Sequence, residues 1–325
     1  MHRTLAAVAL AALAVVAGAP AFAEYPDRPI KMIVAWPAGG GADNAARLIA
    51  DGLSKKLGQP VIVENRAGAN GAIGTALAAK APADGYTILF ATADTHSINP
   101  HVYKATIQYD PIKDFEPISL LGTASFVLVA NSKFAPDTLE ELIAHAKKNP
   151  GKVTYATWGI GSTAHLAMAS FELASGVDLL HVPYQGSGPA IQALLGGQID
   201  LYMAGATGAD QYRKSGRVKV YGVAGTQRAP GAMSDVKTLA EQGLAGAEGG
   251  GWYAIVTPAG VPRAIRDKLT AAIVEVTRSP AVTDKLVATG WNVAAAGQEE
   301  LAALMRSELA RYGKIVEQKK ITTGK

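Results

Sequence analysis

Residues 30 to 57 read Ile30-Lys-Met-Ile-Val-Ala35, then Trp36-Pro37-Ala38-Gly39-Gly40-Gly41-Ala42-Asp43, then a run from Asn44 to Leu57. The first piece is an apolar, β-branched strand. In the last piece Ala45, Leu48, Ile49 and Leu53 fall on one helical face, and Gly58 stands just beyond the end, so a helix is expected from Asp43 to about Leu57. Three glycines between a buried strand and a helix expose backbone N–H groups where the helix macrodipole favours negative charge. The junction therefore suits a small anion such as a carboxylate or phosphate. It carries no catalytic side chain, which points to holding a ligand rather than transforming it.

The same alternation continues along the chain. Strand-like runs at 61–64, 87–92, 152–157, 179–183, 199–203 and 218–224 alternate with helical patterns at 70–80, 137–148, 163–175 and 189–195. Asp137 with Glu140 predicts a capping box for the second of these helices. Such alternation means an α/β fold with mostly parallel sheets. Phe126 to Pro136 is echoed by Trp252 to Pro262, each a strand, a turn and a proline before an amphipathic helix. The echo predicts two hinge crossings, at 126–131 and 252–257. The expected organisation is domain 1 from 24–124 and 249–325, with domain 2 from 125–248. Pro262 to Lys325 reads as three helices, separated at Ser279-Pro280 and around 290–297.

The chain has 325 residues, no cysteine, 31 Lys and Arg against 27 Asp and Glu, and a formal charge of +4. Without cysteine there are no disulfides, thiolate metal sites or thiol nucleophiles. Residues 1–23 predict an export signal: Arg3, an uncharged run from Leu5 to Gly18, and Ala21-Phe22-Ala23 as the cleavage pattern. That run is about 14 residues, short of the roughly 20 needed to span a bilayer. Cleavage after Ala23 would leave a periplasmic chain of about 300 residues, long enough for two domains. The charges are dispersed, with no basic stripe interleaved with aromatics, which argues against nucleic acid as a partner.

Four segments fall where open α/β sheets place their ligands. They are Trp36 to Asp43, Ala91 to His96, Thr157 to His165, and His181 to Pro189. Glycine and hydroxyl residues dominate them, so their donors are expected to converge. Taken singly, Ser162 or Thr163 reads as a helix cap, His165 as a local hydrogen-bonding group and Trp158 as core. Gly159-Ile-Gly161-Ser-Thr-Ala164 fits the dinucleotide fingerprint, yet Tyr184 stands where the acidic ribose partner belongs, so no nicotinamide cofactor is expected. His96 and His101 lack partners at ligand spacing, so no metal is expected. An enzyme using His165 with Ser162 or Asp94 is the competing class, without a supporting base–nucleophile spacing.

Taken together, these motifs resemble the Bug family, the periplasmic substrate-binding receptors of tripartite tricarboxylate transporters. The resemblance rests on Tyr25-Pro-Asp-Arg-Pro-Ile30, Trp36 to Asp43, Val63 to Gly71, Ala83-Asp-Gly-Tyr-Thr87, Tyr109-Asp-Pro111 with Asp114-Phe115, Gly159-x-Gly161 with His165, His181-Val-Pro-Tyr184, and Leu195-Gly-Gly-Gln198. It implies a monomeric two-domain receptor of the type II periplasmic-binding-protein or Venus-flytrap kind, its two mostly parallel sheets joined by two hinge strands. It implies a carboxylate ligand, no cofactor, and membrane transporter subunits as partners; a membrane sensor kinase is the alternative partner. By position it places Trp36, Pro37, Ala38, Gly39, Gly40, Asp43, Thr92, Gly161, Ser162, Thr163, His165 and Tyr184 at the cleft. Two departures bear on the ligand. Met203-Ala204-Gly205 stands where the family often has Phe-Asp-Asn, and Trp158 replaces a small polar residue. Less polarity at Ala204 and Gly205, beside an indole, suits an aromatic dicarboxylate of the terephthalate kind; with Trp158 packed inward instead, the alternative is an aliphatic di- or tricarboxylate.

Overall fold

One 17-residue strand, Phe115–Asn131, belongs to two sheets at once. Its first part pairs with Gly250–Pro258, and its last part with Leu201–Gly205 and Val218–Val223. The computed structural model describes residues 25–323. The predicted export signal and its cleavage after Ala23 lie outside those residues.

In chain order the strands are β1 (Ile30–Val34), β2 (Val61–Asn65), β3 (Thr87–Thr92), β4 (Phe115–Asn131), β5 (Thr154–Thr157), β6 (Leu180–Pro183), β7 (Leu201–Gly205), β8 (Val218–Val223), β9 (Gly250–Pro258) and β10 (Trp291–Ala296). The α-helices are α1 (Gly41–Leu57), α2 (Ala72–Ala79), α3 (Asn99–Val102), α4 (Leu139–Lys148), α5 (Thr163–Ser175), α6 (Ser187–Leu195), α7 (Ala206–Lys214), α8 (Arg263–Arg278), α9 (Pro280–Ala288) and α10 (Gln298–Gln318).

Each sheet keeps a parallel trio, β2-β1-β3 in the first lobe and β6-β5-β7 in the second. The sheets are mixed rather than mostly parallel, because every antiparallel pairing involves β4 or β9, the strands that carry the chain between lobes. On β4 the partner changes between Ser125, opposite Gly250, and Phe126, opposite Gly205. On the return path Gly249 N–H donates to Ala224 O at 2.6 Å, and the next residue joins β9. The segments expected as hinges, 126–131 and 252–257, thus lie within the sheets, and the crossings sit at their ends.

Side chains on β1 alternate between two cores, as a pleated strand requires. Ile30, Met32 and Val34 pack with Leu53 of α1 and Ile273 of α8, whereas Ile33 joins Leu301 and Tyr312 of α10 on the opposite face. Burial on both faces from Met32 to Val34 accounts for the apolar run there, while Lys31 stays exposed and pairs with Glu64 at 2.9 Å. In the second lobe Leu128 and Ala130 face α4 and α5, and Val127 and Val129 face α6 and α7.

Three local expectations are corrected. The capping box of α4 is Thr138 with Glu141, one residue later than Asp137 with Glu140, since Thr138 Oγ1 accepts from Glu141 N–H. Between α9 and α10 the chain forms β10, antiparallel to β4, where only a break between helices was expected. Helix α1 starts at Gly41, two residues before Asp43.

Candidate ligand-binding cleft

Asp43 shapes the glycine-rich loop from within. Its carboxylate is buried and accepts from Gly39 N–H at 2.8 Å, Asn65 Nδ2 at 2.8 Å and Arg47 Nε at 3.0 Å. Burial alone would raise its pKa, but these donors outweigh burial and hold it below the usual carboxylate value. Asn65 Nδ2 also donates to Trp36 O at 3.0 Å, and Arg47 is held against Asn65 Oδ1 at 3.0 Å. Gly39 adopts φ +80°, a left-handed conformation that favours glycine. Asp43 and Gly39, both expected at the ligand, are therefore committed to the loop: one carries a charge that repels an anion, and the other's N–H is already bonded. Trp36 turns inward, its ring edge near Gly71. The donors left for an anion are the first-turn N–H groups of α1, which has no side-chain cap. Asn65 and Arg47 were missed as site residues although Val63 to Gly71 stood out as a motif.

The Gly159 to His165 loop is likewise occupied by the protein itself. Gly161 N–H donates to His165 Nδ1 at 3.1 Å, and Ser162 Oγ donates to Gly159 O at 2.7 Å while accepting from His165 N–H at 3.3 Å. His165 stacks on His181 with ring centroids 3.9 Å apart. Burial, then His181, then Lys319 lower its pKa to about 3, so it is neutral near pH 7. With these partners Ser162 and His165 form no base–nucleophile pair.

Across the lobes, Asp94 Oδ1 accepts from Thr163 N–H at 3.0 Å and Asp94 Oδ2 from Thr163 Oγ1 at 3.3 Å. Asn70 Nδ2 reaches Gly161 O at 3.3 Å, and Tyr103 OH reaches Ile160 O at 3.3 Å. Gly161 lies so close to Val102 that an added Cβ would sit 2.8 Å from its Cγ1. Ile160, Gly161 and Thr163 thus build an interlobe contact, which Ser162 and His165 support from within their own loop. Thr92 is buried and bonded to Thr95, and Tyr184 is half-buried with its N–H on Thr157 O at 3.0 Å.

A cavity of about 530 Å³ draws its walls from both lobes: Gly41, Asn44 and Leu48 of α1, Phe126 at the crossing, Gly205 and Ala206 at the start of α7, Tyr253 and Trp291. Ala204 is buried behind it in the sheet. Tyr253 and Trp291 stack at 4.1 Å. Trp158 does not line this space; it packs edge-on against Phe126, centroids 5.4 Å apart, and so backs the aromatic wall. Lys285, at the rim, carries a cation that the sequence reading passed over. A second cavity of about 880 Å³ shares Ala124 and Ser125 with the first and is lined by α5, α10 and β10. Its Arg311 is already held by Glu308 and Glu248 O.

Two α/β lobes joined by crossing strands, with a cavity between them and helix N-termini opening onto it, define the class of a two-lobed solute-binding protein. The family profile described as the tripartite tricarboxylate transporter family receptor matches residues 45–321, and the chain belongs to that family. It is 35% identical over 317 residues to BugT of Bordetella pertussis, covering 97% of each chain. Among solved structures, an R. palustris protein with adipate is similar at 30% identity and a TM-score of 0.82, over 92% of this chain and 99% of that one. MatC from Rhodopseudomonas palustris, with bound malate, is similar at 32% identity and a TM-score of 0.79, over 90% of this chain and 100% of MatC. The family is one of binding receptors rather than enzymes. Among the described residues no helix is long and apolar enough to cross a membrane.

Proposed function

We propose that this protein is an exported periplasmic receptor that holds one small carboxylate between its lobes and delivers it, chemically unchanged, to the membrane subunits of a tripartite tricarboxylate transporter. The observation that carries this reading is the 530 Å³ cavity, onto which the uncapped N-termini of α1 and α7 both open. Two such ends offer N–H donors and dipole potential to one acid group. The adipate and malate held by structural relatives support a carboxylate as the ligand class.

Within that class we favour an aromatic dicarboxylate of the terephthalate kind. Phe126, Tyr253 and Trp291 offer ring faces and edges, and Lys285 at the rim can meet a second acid group. Ala204 and Gly205 offer no carboxylate to pair an ammonium at the α7 end of the cavity, where a buried unpaired charge would cost several kcal/mol; the exposed carboxylate of Asp51 on α1 also lines the cavity. Calorimetry of the mature chain with terephthalate, adipate, malate, citrate and glutamate tests both levels. Terephthalate is expected to bind one-to-one and rank first. An aliphatic acid ranking first overturns the aromatic assignment, and a panel without binding, or a chemically altered ligand, overturns the receptor reading.

A further inference from the structure

The contact between Asp94 and Thr163 joins a carboxylate of the first lobe to the N-terminal end of a 13-residue helix in the second. Both carboxylate oxygens are engaged, and both donors belong to the first residue of α5. That is the arrangement expected of a bound acid group at a helix N-terminus, made here by the protein's own side chain. The loop before Thr163 is fastened to the first lobe by Asn70, Tyr103 and the close packing of Gly161 on Val102.

We propose that Asp94 is a positioning residue for ligand capture: by seating its carboxylate on α5 it pins the lobes together and leaves the ligand's acid group to the α1 and α7 side of the cleft. This rests on the carboxylate-receptor reading. Hinge closure of a two-lobed receptor is the motion the pin would hold. In a closed cleft Asp94 is only 7% exposed, whereas separating the lobes returns it to water.

Burial pushes the Asp94 pKa up to about 6, against the lowering effect of Thr163's N–H. Closure therefore takes up a proton near neutrality. The sign follows from linkage: the closed state has the higher pKa, so it gains relative to the open state as pH falls through 6 toward the ordinary value near 4. The titratable groups around Asp94 keep their charge between pH 7 and pH 5. The phenols of Tyr103, Tyr109, Tyr253 on β9 and Tyr312 on α10 are all pushed upward by burial. His96 and His165 are both lowered to about 3, and His181, stacked on His165, to about 4. Asn70 and Thr163 do not titrate.

Asp94→Asn keeps an acceptor for Thr163 N–H and a donor for its hydroxyl, without charge; Asp94→Ala keeps neither. With terephthalate as probe, wild-type affinity is expected to rise roughly ninefold from pH 7 to pH 5. That rise is read relative to the two variants, whose profiles should follow only the ionisation of the probe itself. Asp94→Asn should bind about tenfold more tightly than Asp94→Ala throughout, as two hydrogen bonds would give. A wild-type profile parallel to those of the variants, or equal affinities for the two variants, overturns the proposal. Scattering without probe separates its failure from that of the receptor reading. Wild type more compact at pH 5 than at pH 7, with Asp94→Ala unresponsive, supports the pin even if no acid in the panel binds.

Discussion

Replacing Asp43 with alanine tests whether the glycine-rich loop is shaped by its own carboxylate. The substitution removes the acceptor for Gly39 N–H and Asn65 Nδ2, both partly buried donors at 2.8 Å. Hydrogen bonds to a charged group contribute about 1.5–3 kcal/mol each, and the partial burial argues for the lower figure, so the two together amount to about 3 kcal/mol. The Arg47 ion pair adds no more than about 0.5 kcal/mol, because the Arg47 side chain is 49% exposed. For a chain of this size that loss lowers Tm by about 6 °C. Ligand affinity should fall about tenfold as well, since Trp36 to Gly40 would no longer be held beside α1. The pH dependence carries a sign of its own. The Asp43 pKa is lowered in the folded state, so its contribution is complete above the unfolded value near 3.9 and fades as pH falls through the lower folded value. The gap in Tm between wild type and Asp43→Ala should therefore narrow below about pH 4. Calorimetric unfolding at pH 7 and pH 3.5 reads both effects; a variant within about 1 °C of wild type at pH 7 would refute the reasoning.

Gly40→Val places a branched side chain at the mouth of α1, where Gly40 has φ −77° and an added Cβ would meet only Pro37 O at 3.5 Å. It should fold with nearly wild-type Tm and bind carboxylates at least about tenfold more weakly; unchanged affinity would show that α1 does not meet the ligand. Trp158→Ala removes the edge-on support of Phe126 and should cut the preference for terephthalate over adipate by about 0.5–1.5 kcal/mol, read by calorimetry on both acids. Thr138→Ala, distant from the cleft, should cost about 1 kcal/mol of stability through the lost capping box while leaving affinity unchanged.

The strand and helix alternation was legible because each element buries a face with its own period. The fold class follows from that pattern, and α5 was read correctly from Thr163 to Ser175. Elements with little local signal escaped. Helix α7 is mostly polar and reveals itself only by packing Ala206 and Ala209 into the second lobe, and β10 becomes a strand only because β4 offers an edge. The site was legible as a set of loops but not as a division of tasks. Ser162, Thr163 and His165 carry the right donors at the right strand end, yet Asp94, 69 residues from Thr163, engages two of them. Sequence spacing cannot show that a carboxylate from the opposite lobe fills a helix end. Nor can it show that Asp43 turns toward Gly39 rather than toward the cleft.

Three helix ends at the cleft, those of α1, α5 and α7, suggest why closure would depend on the ligand. Each helix N-terminus carries roughly half a positive charge. At α5 the first-turn N–H and hydroxyl of Thr163 are met by Asp94 when the lobes are together. The ends of α1 and α7, one from each lobe, open onto the same cavity without a side-chain cap. Asp43 in the first turn offsets part of the charge at the α1 end, and what remains there and at α7 makes their approach unfavourable unless an anion lies between them. A bound carboxylate supplies that anion and turns a repulsive approach into an attractive one. On this argument Asp94 makes closure possible on one side of the cleft, and the ligand makes it favourable on the other.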